Sequence, residues 1–304
     1  MDLTDRVAGI KDTYAGWDGV EYDSKLYGVP WLLGTRALFY NKDIFEEAGL
    51  DPEKPPATWD ELQQYAEQIS ANTSAKGFGI AAGEAETPWT EFSLFLWSNG
   101  GDFLNADQTA SALSEPAAVE ALEYYHNLSK FSLVAQDGMI GQEFAAGTVG
   151  MFISGAWNLR SLPTNAPDLN FGVAVIPAAP SGDAASFGGG EILSISAKTK
   201  VPDEAYKLIE FMTAKENAMK ITEKAPTVFP PYGDIAEDPF FDSNPNLKVF
   251  ASQLSIAKNP PSLKQWQPIS AAVTTAIEET VFDQATPEEA LKKASGTINS
   301  LLGQ

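Results

Sequence analysis

The sequence contains no cysteine and one histidine, which excludes several kinds of chemistry. Without cysteine the chain has no disulfide, no thiol nucleophile and no thiolate ligand for zinc or iron–sulfur clusters. The one histidine, His126, follows two tyrosines in a helical pattern, where a surface or structural role is expected. We therefore expect no cofactor, no metal site and no catalytic triad.

Basic residues are also scarce, with 20 lysines and arginines against 41 acidic residues and a net charge of -21. The negative electrostatic field of such a protein repels phosphate backbones and anionic lipid surfaces, so nucleic acid is not expected as a partner. Long apolar runs are missing too, because a run such as residues 92–97 is far shorter than the roughly 20 residues of a membrane span. Residues 1–5 do not have the basic start and apolar core of a signal peptide.

The 304 residues, 44% of them hydrophobic and 11% aromatic, suffice for a substantial core. Short apolar runs alternate with helical patterns, which predicts an α/β fold. The residues before two of the helices, Thr58 and Thr286, begin capping boxes. The predicted helices are 43–49, one from 58, 88–97, one from 114, 202–212, 215–222, 269–282 and one from 286, and the predicted strands are 37–40, 77–82, 149–153, 171–175 and 192–195.

Two glycine-bearing stretches differ from ordinary strands. Gly28 and Pro30 forbid a helix, and residues 34–36 (Gly-Thr-Arg) precede a buried strand where the backbone changes direction beside something polar. Residues 188–190 are three glycines followed by Glu191. Consecutive glycines cost backbone entropy, so they indicate a hinge or a close approach of the backbone to a ligand.

Several short motifs, each weak alone, occur together in a family-specific order. They include Tyr-Gly-Val-Pro-Trp at 27–31, Thr-Arg-Ala-Leu-Phe-Tyr-Asn-Lys-Asp at 35–43, Met-Phe-Ile-Ser-Gly-Ala-Trp at 151–157 and Thr-Pro-Glu-Glu-Ala-Leu at 286–291. In this order the chain resembles the maltose-binding-like family 1 of extracellular solute-binding proteins, which serve ABC importers. The resemblance implies a periplasmic-binding-protein-like (type II) architecture, with two lobes and an interlobe cleft.

The resemblance also implies a division of the chain. The first lobe would comprise residues 1–33 and 192–244, and the second residues 35–187 and 245–304. The crossings, which are candidate hinges, would lie near 34–36, 188–191 and 240–246. Because family members usually begin with further strands and helices of the first lobe, we expect that lobe to be incomplete here. A chain starting at Met1 is therefore expected to bind ligand weakly or not at all.

The function implied by the resemblance is capture without chemistry. A sugar or oligosaccharide would be enclosed by cleft closure and delivered to the permease subunits of an ABC importer by a monomeric extracytoplasmic protein. One alternative keeps the fold but changes the solute, to glycerol phosphate or a polyamine. The other is a glycoside hydrolase, although no carboxylate pair of suitable spacing can be identified from the sequence.

The candidate ligand-binding residues follow from what sugars present, namely C–H faces and hydroxyl groups. Trp17, Trp59 and Trp97 are expected to be structural. By resemblance, Trp89 and Trp157 lie where the family places sugar-stacking aromatics. Arg36 could donate to ligand hydroxyls or, equally, form a salt bridge across the interlobe strand. The full candidate set is Trp31, Gly34, Thr35, Arg36, Trp89, Trp157, Gly189, Gly190, Glu191 and Trp266.

Overall fold

The structure is a computed structural model, and it describes residues 1–303. Helices and strands alternate along most of this length. In chain order the elements are α1 (Thr4–Val7), β1 (Glu21–Tyr22), β2 (Lys25–Leu26), β3 (Val29–Gly34), β4 (Arg36–Asn41), α2 (Lys42–Ala48), α3 (Trp59–Asn72), β5 (Phe78–Ala81), α4 (Thr87–Ser98), α5 (Pro116–Ser129), β6 (Ser132–Ala135), α6 (Asp137–Ala145), β7 (Met151–Gly155), α7 (Asn158–Asn165), β8 (Phe171–Ala174), β9 (Ser186–Phe187), β10 (Gly189–Leu193), α8 (Pro202–Thr213), α9 (Lys215–Lys224), α10 (Pro239–Asp242), α11 (Pro245–Ser252), β11 (Ala257–Lys258), α12 (Trp266–Val281) and α13 (Pro287–Leu302).

The chain divides into two compact units. Unit 1 comprises Met1–Arg36, Gly155–Leu159 and Ser186–Leu263, and unit 2 comprises the intervening stretches and the chain from Lys264 onward. Residues 155–159, which include Trp157, and residues 245–263 belong to unit 1, whereas the predicted division has both stretches in the second lobe. For the second stretch the reason is strand pairing, because β11 runs parallel to β9 within unit 1.

Unit 1 is built on the antiparallel pair of β3 and β10. The predicted strand at 192–195 is therefore displaced: β10 begins three residues earlier and includes the glycines 189 and 190. Helix α8 packs on β3, as its apolar stripe predicts. The core of this unit contains Leu3, Val7, Trp17, Val20, Leu26, Val29, Ile195, Tyr206 and Ile209.

Unit 2 contains a five-stranded sheet with the strand order β6-β5-β7-β4-β8. Strand β5 is parallel to both β6 and β7, whereas β4 and β8 are antiparallel. Phe152 lies between Phe39 and Phe144, with ring centroids 5.1 and 4.7 Å away, so aromatic side chains fill the space beside the sheet. The mixture of parallel strands and crossover helices confirms the predicted α/β class.

Helix α4 is buried on almost all sides, since 11 of its 12 residues are buried. When polar residues of a helix are buried together with apolar ones, each buried polar group needs a hydrogen-bond partner within the protein. Ser93 and Ser98 do so by donating to the carbonyls of Thr90 and Leu94. The same helix carries Trp89 near its start and one acidic side chain, Glu91, in its interior.

The two predicted capping boxes form to different extents. At α13 the box is complete, because the Thr286 hydroxyl accepts from the Glu289 amide and the Glu289 carboxylate accepts from the Thr286 amide. At α3 the Thr58 hydroxyl accepts from Glu61 as predicted. The Glu61 carboxylate, however, accepts from the amide of Ala57, one residue before the cap.

Candidate functional site

Arg36, at the start of β4, is held by its backbone in unit 1. Its amide donates to the Ser186 hydroxyl at 3.0 Å, and the same hydroxyl donates to the Arg36 carbonyl oxygen at 3.0 Å. The side-chain amide of Gln253 also donates to this carbonyl. Ser186 and Gln253 are both buried, so two polar side chains from distant parts of the sequence fix the position of this residue.

The Arg36 side chain lies against two aromatic rings. Its Cζ is 4.7 Å from the centroid of the Trp157 ring and 5.1 Å from that of Phe187, both within cation–π range. Phe187 is buried, whereas 42% of Trp157 remains exposed. These three residues, here called the Arg36 cluster, present an accessible indole that is supported by a cation.

The turn that delivers Trp157 depends on Gly155, the last residue of β7. A Cβ at this position would overlap the six-membered ring of Trp157, so any side chain at 155 would displace the indole. Glycine is required here because the ring folds back onto the backbone that carries it. The turn at 156–157 follows directly, and the absence of a side chain at Gly155 leaves room for the tryptophan ring.

Unit 2 holds a second group of aromatic residues: Trp89, Phe103 and Trp266. Trp266, the first residue of α12, meets Trp89 edge-to-face with ring centroids 5.1 Å apart, and Phe103 lies 5.4 Å from Trp266. Trp89 is only 3% exposed, and its indole N–H donates to Glu86 at 3.2 Å. In this structure Trp89 thus offers little surface to a ligand, while the half-buried Trp266 offers part of its ring.

Two other candidates use their polar groups inside unit 1. The buried Thr35 hydroxyl donates to the carbonyl of Phe250 at 2.8 Å. The indole N–H of Trp31 donates to the carbonyl of Met212, at the end of α8, at 3.0 Å. Both hydrogen bonds connect parts of the unit that are distant in sequence, which gives these residues a structural role independent of any ligand.

The glycine candidates lie in the β3–β10 pair, where Gly189 is opposite Gly34. A Cβ at position 190 would overlap the carbonyl of Leu32, so Gly190 permits a close approach of one strand to the other. Glu191 is opposite Leu32 and its side chain is exposed. Contact between two backbones therefore explains Gly190 without a ligand.

Glu91 is the buried ionisable group of unit 2. Its Oε2 accepts from the Ala81 amide at 2.8 Å, and the buried Tyr125 hydroxyl lies beside the same carboxyl group. Complete burial raises the pKa of Glu91 to about 8, although the hydrogen bond from Ala81 opposes this effect. The carboxyl group is therefore largely protonated at neutral pH.

The sequence profile of one protein family, the bacterial extracellular solute-binding proteins, matches residues 1–249. This match covers most of the chain and spans both units. The chain belongs to this family. Its members bind solutes and are not enzymes, so the family resemblance and the prediction of a binding protein are confirmed.

Two bacterial relatives of this solute-binding protein are also named as binding proteins. A binding protein of Brucella abortus is 32% identical over 288 residues, which cover 92% of this chain and 69% of the relative. The sn-glycerol-3-phosphate-binding periplasmic protein of Escherichia coli K12 is 27% identical over 315 residues, covering 95% of this chain and 70% of the relative.

Solved structures confirm the periplasmic-binding-protein-like fold of this solute-binding protein. The cyclic α-maltosyl-1,6-maltose-binding protein of Arthrobacter globiformis has a TM-score of 0.90 at 28% identity, over 99% of this chain and 79% of the other. An ABC transporter solute-binding protein of Thermotoga lettingae, bound with α-D-tagatose, has a TM-score of 0.83 at 28% identity, over 100% and 80% of the two chains.

Residues 1–303 of this solute-binding protein contain neither a candidate membrane span nor a candidate metal site. No helix there has the length and apolarity to cross a membrane. No three acidic or histidine side chains in that stretch are grouped so that they could hold a metal ion. His126, the one histidine, pairs with Asp283 at 2.7 Å at the surface of unit 2.

Proposed function

We propose that this protein captures a carbohydrate as the binding component of an ABC importer and carries out no chemistry on it. The observation that carries this proposal is the Arg36 cluster, in which a large part of the Trp157 indole stays accessible on a fixed support. Removing part of the accessible indole surface from water would be favourable. A ligand with an apolar face would bury it.

Carbohydrates have such a face, since one side of a sugar ring exposes C–H groups while its rim carries hydroxyls. An indole that is already fixed loses little conformational freedom when a ring stacks on it, which favours binding. Arg36 adds donors beside that ring, in a planar fork suited to hydroxyl, carboxylate or phosphate oxygens. We therefore propose Trp157 as the stacking residue and Arg36 as its neighbour.

The named relatives support a carbohydrate over other solutes. Two solved structures at 28% identity are, by their descriptions, a cyclic maltosyl-maltose binder and a protein bound with α-D-tagatose. The second is described as belonging to an ABC transporter, which supports the proposed delivery to a permease. Closure of two lobes about the ligand, the incomplete first lobe and the monomeric state stay predictions from the sequence.

A glycerol phosphate is the second candidate ligand. The Escherichia coli relative is named for binding sn-glycerol 3-phosphate, and the Arg36 guanidinium is a suitable partner for a phosphate. Against it stands the net charge of -21, whose field disfavours anions at long range. A polyamine is favoured by that field but opposed by the arginine beside Trp157.

A thermal-shift panel at high ligand concentrations tests the proposal with this chain, for which weak binding is expected. Maltose, D-tagatose, sn-glycerol 3-phosphate and spermidine are compared, and saturation-transfer NMR on the same samples detects weak binders. A ligand at about 100 times its Kd stabilises the folded state by roughly 2.7 kcal/mol, which raises the midpoint of unfolding by some degrees. We expect this effect from a sugar and not from spermidine.

Three results would contradict the proposal. Saturation transfer and stabilisation by glycerol phosphate alone would favour the second candidate. Release of the aryl group from an aryl glycoside by purified protein would identify an enzyme, because a binding protein leaves that bond intact. A panel in which no sugar gives saturation transfer would also count against carbohydrate capture.

A further inference from the structure

The position of the Trp157 indole is determined by three neighbours in unit 1. Gly155 leaves room for the ring against the backbone, and the Arg36 guanidinium lies over the ring at 4.7 Å from its centroid. Phe187, itself buried, contacts the same guanidinium at 5.1 Å. The Arg36 guanidinium thus contacts both the buried ring of Phe187 and the exposed ring of Trp157, and it restricts the movement of the Trp157 ring.

The guanidinium is itself fixed more firmly than a surface arginine. The backbone of Arg36 is bonded to Ser186 and Gln253, both buried, and its Nη1 donates to the carbonyl of Thr35 at 3.4 Å. A long side chain normally loses much rotamer freedom when it is ordered. The contacts with Thr35, Trp157 and Phe187 restrict this freedom and hold the cation beside the indole.

We propose that Arg36 positions Trp157 and selects against cationic ligands; this inference rests on the proposed function. A ligand stacked on the accessible part of Trp157 would lie within several ångströms of the guanidinium. At that distance two like charges repel appreciably even at the high effective dielectric of a protein surface, whereas more distant charges are screened. Neutral sugars are admitted and protonated amines are rejected.

The local effect of Arg36 opposes the global field of the protein. A net charge of -21 attracts cations toward the surface as a whole. Salt screens this attraction beyond about 8 Å at physiological ionic strength, so the nearest charge dominates at the ring. A single fixed cation beside the stacking surface is therefore enough to reverse the preference at this one place.

The positioning role is tested by fluorine NMR on protein that contains 5-fluorotryptophan. The Trp157→Phe variant assigns the Trp157 resonance among the seven tryptophans. We expect Arg36→Met, which keeps the bulk but removes the cation, to shift and broaden that resonance, and Arg36→Lys to have a smaller effect. Arg6→Met is the control, because the Arg6 guanidinium contacts Asp203 and Tyr206 and should leave the resonance unchanged.

The charge preference is tested with D-glucose and D-glucosamine, a matched neutral and cationic pair, at a slightly acidic pH that keeps the amine protonated. We expect the native chain to prefer glucose by about tenfold or more in Kd. The preference should persist in Arg36→Lys, which retains the charge, and disappear in Arg36→Met. The two variants thereby separate the charge of Arg36 from its planar contact with the ring.

The outcomes are distinguishable. If the Trp157 resonance is the same in Arg36→Met and the native chain, Arg36 does not position the indole. If Arg36→Met keeps the preference for glucose, Arg36 does not select the charge of the ligand. If neither sugar binds, the proposed function and the charge preference both fail, and the fluorine spectra still decide the positioning role.

Discussion

Replacing Glu91 by glutamine should stabilise unit 2, and the gain in the free energy of unfolding should increase with pH. The native carboxyl is completely buried on α4, with one oxygen bonded to the Ala81 amide and the Tyr125 hydroxyl beside it. Desolvation raises its pKa from 4.5 to about 8. Glutamine has nearly the same shape, keeps an oxygen for the Ala81 amide, and has no charge at any pH.

The sign follows from the two pKa values. Because the folded state holds the proton more tightly than the unfolded state, the contribution of Glu91 to stability is fully present below about pH 4.5 and is lost as the pH rises toward 8. At 1.36 kcal/mol for each pH unit, the loss is roughly 3 kcal/mol at pH 7 and roughly 5 kcal/mol above pH 8. Glu91→Gln avoids this loss.

Urea-induced unfolding across this pH range measures the effect, with the free energy of unfolding compared between variant and native protein at each pH. Glu67→Gln, an exposed position on α3, is the matched control and should change stability equally little at every pH. We expect the advantage of Glu91→Gln to be near zero at pH 4.5 and to increase steadily above it. Parallel stability curves would refute the reasoning, because they would mean that Glu91 titrates alike in the folded and unfolded states.

Two further predictions concern backbone and capping. Gly190→Ala should lower the stability of unit 1 by about 2 kcal/mol or more, because the new Cβ would overlap the carbonyl of Leu32. The control in thermal unfolding is Gly233→Ala, which has open space around it. Equal unfolding midpoints for the two variants would contradict the account. Thr286→Ala should lower the free energy of unfolding by about 1 kcal/mol, because it removes the capping box of α13. The control is Thr297→Ala in the same helix. A smaller effect of Thr286→Ala than of the control would show that the box is energetically unimportant.

Elements with strong local signals could be predicted from the sequence. The apolar stripe of α8 and the Thr286 box of α13 depend on residues a few positions apart, so the pattern contains the whole interaction. The strand predicted at 37–40 corresponds to β4, because a short continuous apolar run is typical of a buried strand. The alternation of these patterns predicted the α/β class, and the family resemblance then implied the periplasmic-binding-protein-like architecture, which local patterns alone did not determine.

Features that depend on contacts between distant residues could not be predicted. Nothing near Arg36 in the sequence indicates that its guanidinium meets Trp157 and Phe187, or that Gln253 holds its backbone. The burial of Trp89 has the same origin, since its ring is covered by Phe103 and Trp266 from other segments. The glycines 189 and 190 were recognised as unusual, but their use in strand pairing depended on β3, which the sequence had not indicated as a strand.

The central claim is that a carbohydrate stacks on Trp157, and its affinity for the Trp157→Ala variant tests this most directly. The sugar selected by the panel is titrated calorimetrically into the native chain, Trp157→Ala and the control Phe211→Ala, which removes an aromatic ring that is 63% exposed. We predict a loss of about 2 kcal/mol or more, roughly thirtyfold in Kd, for Trp157→Ala alone. Equal affinities in all three proteins would contradict the account.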